Sequence, residues 1–165
     1  MTAAATYLDD IQVQFRKLKA LGEDAVAQVT DDELVVRLDA ESNSLAVIMK
    51  HVAGNLRSRF TDFLTTDGEK PNRNRDGEFE LAGNPGRAAI MADWESGWAR
   101  LFEALDALRP DDLLKDVRVR GEALPALAQL NRQMTHHAYH VGQIVFMAKH
   151  LRSSEWRNLS IPKKR

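Results

Sequence analysis

Five histidines stand at positions 51, 136, 137, 140 and 150, and three of them fall within the run His136-His137-Ala138-Tyr139-His140. His136 and His140 are four residues apart. On an α-helix that spacing projects both rings from adjacent turns on one side, and two imidazoles so placed can hold one divalent ion. The pair alone is weak evidence, because His-x-x-x-His also occurs on helices that bind nothing. A third imidazole is available at His51, on a separate predicted helix, where it borders the apolar ridge with Asn55 one turn further along. Three neutral imidazoles suit zinc, nickel or iron and leave one or more positions for water or substrate. An ordinary hydrogen-bonded histidine beside a helical core is the competing explanation for His51.

His137 complicates the ligand set. At about 100° per residue it falls amid Leu130, Met134, Val141 and Ile144, near the middle of the apolar stripe, whereas His136 and His140 fall on its edge. Periodicity therefore permits either His136 or His137 as the partner of His140, and equally permits His137 as a core residue. His150, beside Lys149 and Arg152, reads as a cation of the last helical turn, favoured by the helix dipole.

Composition narrows the chemistry. The 165 residues include no cysteine, which removes disulfides, thiolate ligands and cysteine nucleophiles together. A metal site must then use imidazole nitrogen and carboxylate or carbonyl oxygen. With 23 Lys plus Arg against 24 Asp plus Glu, the net charge of −1 argues against a protein whose main task is to coat nucleic acid or an acidic membrane. The first residues lack the basic and apolar segments of a secretory signal, and no run approaches the roughly 18 apolar residues that suggest a membrane span. A cytoplasmic protein is the expectation, with no nucleic-acid or membrane partner. The basic end Ile161-Pro162-Lys163-Lys164-Arg165 reads as a solvated terminus.

The elements that position the histidines follow from apolar spacing. Leu8, Ile11, Phe15, Leu18, Gly22, Ala25 and Val29 predict a helix from Thr6 to Val29, and Thr30-Asp31-Asp32-Glu33 a capped short turn after it. Leu45, Ile48, Val52, Leu56, Phe60 and Phe63 predict a second helix over Ser44 to Leu64. Residues 65–86 are rich in Gly, Pro and Asn and long for a structureless loop, which predicts either disorder or a functional lid, with a plain solvated connection as the alternative. Ile90, Trp94, Trp98, Leu101, Leu105 and Leu108 predict a third helix over Arg87 to Leu108. The two tryptophans fit a core ridge or a dimer face better than a ligand-stacking site. Asp116 to Glu122 alternates as a short strand and turn, and a last helix is predicted over Leu124 to Leu151 with Pro125 in its first turn. No repeat or boundary divides residues 1–165, so the expectation is one all-α domain, a four-helix bundle with a short strand-turn insertion before the last helix.

Two segments, Lys50-His51-Val52-Ala53-Gly54-Asn55 and His136-His137-Ala138-Tyr139-His140-Val141-Gly142-Gln143-Ile144, together with Arg59 to Lys70 between them, resemble the DinB/YfiT-like superfamily of bacterial four-helix bundles, in an uncharacterised branch. The likeness extends over nearly the whole chain. It implies a divalent metal, zinc or nickel, held by His51, His136 and His140, and so favours His136 over His137. Val141 is a departure, since many members carry arginine before the Gly-Gln. The resemblance also implies a homodimer and a metal-dependent enzyme acting on a small molecule. That enzyme would be either a transferase using an external low-molecular-weight thiol or a hydrolase using water activated by the cation. Asn55, Tyr139 and Gln143 are the residues placed to support the ligands or simply to pack around them. The alternative is a non-catalytic, stress-associated metal-binding scaffold. Its closed shell would need a fourth ligand, drawn from Asp62, Glu69, Asp76, Glu78 or Glu80, although those acids read more simply as a solvated face or loop.

Overall fold

Thr2 opens the first helix, its hydroxyl accepting the amide hydrogen of Ala5 at 3.2 Å, and Ser44 opens the second by the same means, accepting from Val47 at 3.3 Å. The computed structural model describes residues 2–161, so 162–165 of the basic tail lie outside the described residues. Among those described, the long elements are α1 (Ala3–Val26), α2 (Leu45–Phe60), α3 (Arg87–Ala107) and α4 (Ala126–Arg152). An antiparallel hairpin, β1 (Asp116–Val119) and β2 (Glu122–Pro125), precedes α4. The protein is an all-α bundle with a small two-stranded sheet, as its apolar spacing predicts.

α2 packs along α3 and α1 along α4, while α2 also meets α4 and α1 meets α3. The shared core holds Phe15, Leu56, Trp94, Trp98, Leu101, Leu130 and Ile144, all buried. Trp94 and Trp98 lie 5.4 Å apart by ring centroid inside this core, and the Trp94 indole N–H donates to Glu23 at 3.1 Å. Gly97 permits a close approach of α3 to α2, since a Cβ there would stand 2.6 Å from the Ala53 Cα. No helix of the described residues is long and apolar enough to cross a membrane.

The boundaries differ from expectation where backbone pairing competes with helix. α1 stops at Val26, and Val29 is buried from the following turn instead. That turn closes reciprocally: Thr30 N–H donates to Glu33 and Glu33 N–H to the Thr30 hydroxyl. α2 stops at Phe60 rather than Leu64, the next residues forming a turn that accepts at the Asp62 carbonyl. Leu124 and Pro125 belong to β2, opposite Val117 and Asp116, so α4 starts at Ala126. The hairpin turns on Arg120 and Gly121, both at positive φ, the conformation that joins two strands without splaying them.

The segment 65–86 departs furthest from its reading as a disordered or solvated stretch. It contains a 3₁₀ turn at Asp76–Phe79 and is moored to the bundle at several points. Asp67 accepts the amide hydrogens of Arg120 and Gly121 at 2.9 and 2.7 Å, clasping the hairpin turn. Gly68 N–H donates to the Arg118 carbonyl at 2.8 Å, and its carbonyl accepts from Ser58 and Arg59 on α2. Lys50 donates to the carbonyls of Gly77 and Glu80, each at 2.7 Å.

Candidate metal centre

The meeting of α2 with α4 brings three rings together. His51 Nε2 lies 3.4 Å from His136 Nε2, which lies 3.1 Å from His140 Nε2, and the ligand atoms of all three fall within 4.8 Å of one another. In a tetrahedral zinc shell with bonds of about 2.05 Å, neighbouring nitrogens stand about 3.3 Å apart. The two edges that meet at His136 are close to that separation. His51 is buried, and His136 and His140 are half-buried, so the group lies at the wall of the bundle rather than in its centre.

Hydrogen bonds on the far side of two rings fix what they offer. His51 Nδ1–H donates to Glu78 Oε2 at 2.9 Å, and His140 Nδ1–H donates to Gln143 Oε1 at 2.8 Å. With Nδ1 protonated, each of these rings turns an Nε2 lone pair toward the same point. His136 Nε2, between the two, either donates a hydrogen to one of them or, with its proton on Nδ1, adds a third lone pair. His136 Nδ1 is buried with no hydrogen-bond partner among the described residues. Burial, aided by the charges of His140, His51, Arg59 and Arg73, pushes His136 down to about 3. Burial also lowers His140, partly offset by its bond to Gln143. Both rings are therefore neutral near pH 7, the form in which imidazole binds a metal. The three histidines could hold a divalent ion.

Glu78, which the sequence offers only as one of five acids able to close a metal shell, has a different role. It reads as part of a solvated loop, yet it is only 6% exposed and bonded on both sides. Opposite His51, the Arg73 guanidinium grips the carboxylate in a fork, Nε to Oε1 at 2.7 Å and Nη2 to Oε2 at 2.8 Å. Burial alone would raise the Glu78 pKa, but the bonds from His51 and Arg73 and the charge of Arg73 hold it below the usual carboxylate range. Gly54 makes room for the arrangement, because a Cβ at that position would come within 2.3 Å of Glu78 Oε1. Next to Glu78, Phe79 stacks on the His51 ring at 4.7 Å, and Arg75 lies over Phe79 at 5.4 Å. No apolar period announces these contacts, which join residues across a stretch with no regular repeat.

The other candidates separate clearly. Gln143 supports His140 directly. Tyr139 is 62% exposed and meets His140 edge-on at 5.0 Å. Asn55 is buried, and its Oδ1 has no partner among the described residues. His137, the alternative ligand, is wholly buried against Phe15 and Trp98 at 6.2 and 5.8 Å. Burial holds it well below its ordinary pKa, and the approach of the Gln133 main chain falls short of a well-formed hydrogen bond. His150 is exposed. Among the acids, Asp62, Asp76 and Glu80 are exposed, and Glu69 is half-buried between Arg59, Arg73 and Arg120. No carboxylate joins the three ring nitrogens among the described residues.

The moorings of the 65–86 segment make its docking sensitive to acid. Asp67 is held below the ordinary 3.8 by amide hydrogens, first that of Glu69 and then that of Gly121. Burial opposes the charge of Glu69, but Arg59, with Arg73 and Arg120, keeps its carboxyl below 4.5. Both folded values are depressed, so this stabilisation is complete above the unfolded values and is lost as pH falls through the folded ones. In an NMR titration the Arg120 and Gly121 amide resonances should inflect below pH 3.8. An inflection at or above that value would contradict the clasp.

A family model described as protein of unknown function (DUF1572) matches residues 2–165 of the chain. No curated protein and no solved structure matches it.

Proposed function

The chain belongs to the DUF1572 family of proteins of unknown function, and on that footing we propose that it is a divalent-metal-dependent enzyme of the DinB/YfiT-like type, with zinc or nickel held by His51, His136 and His140. The observation that carries the reading is the convergence of three imidazoles whose ligand atoms lie within 4.8 Å of one another, with two of the opposite nitrogens already committed to Glu78 and Gln143. A divalent cation there supplies Lewis acidity and favours the ionised form of a bound thiol or water.

The chain's own residues do the rest. Glu78 and Gln143 lock the tautomers and ring orientations, and Phe79 covers one face of His51. The half-exposure of His136 and His140 leaves the outer side reachable by a small molecule. A thiol nucleophile must come from outside, since the chain has none of its own. Transfer of a low-molecular-weight thiol onto an electrophile, or hydrolysis, is the corresponding reaction class.

One observation favours the alternative, a dimeric scaffold whose metal only stabilises the bundle. A cavity of about 890 Å³ lies against Glu78, yet none of the three histidines lines it. Ligand competition separates the two. If the metal retains an exchangeable position, a small thiol or azide should shift the visible spectrum of the cobalt-substituted protein. A spectrum indifferent to both would favour the scaffold.

A further inference from the structure

The cavity beyond Glu78 has a composition of its own. Lys50, Arg57 and Thr61 of α2 and its following turn form one wall, and Lys70 and Arg73 of the 65–86 segment form part of the other. Its volume of about 890 Å³ lies within the range of small-molecule sites, about 300 to 1,000 Å³.

Three cations enter it with hydrogen-bond capacity unspent. Lys50 donates only to the carbonyls of Gly77 and Glu80. Lys70 donates only to the Thr66 hydroxyl and the Asp67 carbonyl, at 2.7 and 2.6 Å. An ammonium has three N–H groups, so each keeps one in hand, and neither lies within ion-pair distance of a carboxylate among the described residues. Burial pushes the Lys70 pKa down. Arg57 commits Nη1 to Asp93, leaving Nε and Nη2 without partners among the described residues.

The acids of the same walls are already engaged. Glu78 is taken by His51 and Arg73, Glu69 by Arg59, Arg73 and Arg120, and Asp67 by main-chain amides. Asp62, exposed at the rim, is the exception. Four cations and four acids line the cleft, and Arg57 is paired with Asp93, so what the cleft offers a ligand is the unspent N–H groups of Lys50, Lys70 and Arg57. Lys50 and Arg57 are seven residues apart, two turns or about 10.5 Å along the helix axis. Their head groups are anchored at different places, Lys50 at Gly77 and Glu80 and Arg57 at Asp93, so a ligand that engages both needs two acceptors.

We propose that this cleft binds a small molecule bearing two anionic groups, carboxylate or phosphate, spanned by Lys50 and Arg57 and closed over by Lys70. The assignment does not rest on the proposed metal centre, none of whose histidines lines the cleft.

The purified full-length protein, titrated with adipate, inorganic phosphate or acetate at constant ionic strength, tests it through the amide resonances of Gly54, Ser58 and Gly77. Adipate should give saturable shifts with a Kd lower than that of acetate. Tighter binding of phosphate than of adipate would assign the phosphate form of the ligand. The double variant Arg57→Gln with Lys70→Gln should raise the Kd tenfold or more. If that variant loses its helical circular dichroism, Lys70→Gln alone should raise it about threefold. The proposal is overturned if neither adipate nor phosphate gives saturable shifts up to about 20 mM. Shifts that the substitutions leave unchanged also overturn it, because they place the anion elsewhere, the metal included.

Discussion

Replacing His140 with alanine should strip the purified protein of stoichiometric divalent metal. Apparent binding free energies for structural zinc run at about 10–16 kcal/mol, and even a third of the lower figure, about 3 kcal/mol, is more than a hundredfold in affinity. His140 stands 3.1 Å from His136 at the ligating nitrogens, and its other nitrogen is already bound to Gln143, so no neighbouring group replaces it. His150→Ala provides the matched control on the same helix, since that ring is exposed and outside the cluster. Elemental analysis of the two variants beside the parent is the measurement. Full metal content in the His140 variant would defeat the ligand assignment.

The second large effect belongs to Glu78. Exchange for glutamine keeps an oxygen for His51 Nδ1–H but removes the charge, and loss of such an outer partner lowers metal affinity by about 10- to 100-fold. Exchange for alanine does more. It leaves Arg73, whose side chain is only 5% exposed, without its fork partner in the interior. Breaking a buried pair in this way costs about 3–5 kcal/mol. That is enough to undock the Asp67–Phe79 stretch while the four helices stand. Brief trypsin digestion should then cut Glu78→Ala at Arg73 and Arg75 and spare the parent. Wild-type metal affinity in Glu78→Gln together with a parental digestion pattern in Glu78→Ala would remove Glu78 from the site.

The helices were legible because burying one face of a rod forces apolar residues into three- and four-residue steps, and Phe15, Leu56, Trp94, Trp98 and Ile144 obey that constraint. The same arithmetic put His137 at the centre of its stripe and His136 and His140 at the edge, and the structure buries the first and leaves the other two half-exposed. Spacing alone did not choose among them, because a ring's distance from a partner on another helix is not a periodic quantity. Glu78 and Arg73 were illegible for a stronger reason. Their partners are set by how an aperiodic segment folds back on α2, and an acid in a polar loop has the same composition whether it faces water or a buried imidazole. Gly54 shows the same limit, since its missing side chain matters only after Glu78 has been placed against it.

Both ends of the stretch from Asp67 to Glu78 are anchored to other elements of the protein: one to the hairpin turn, the other to a histidine on α2. That stretch is therefore a ruler, and its length is as much a requirement as its residues. One amino acid added or removed inside it would draw the carboxylate off the imidazole or pull the aspartate out of the turn. The exposed residues around Ala82 to Pro85 have no such duty, and homologous chains should vary in length there and keep the earlier interval constant.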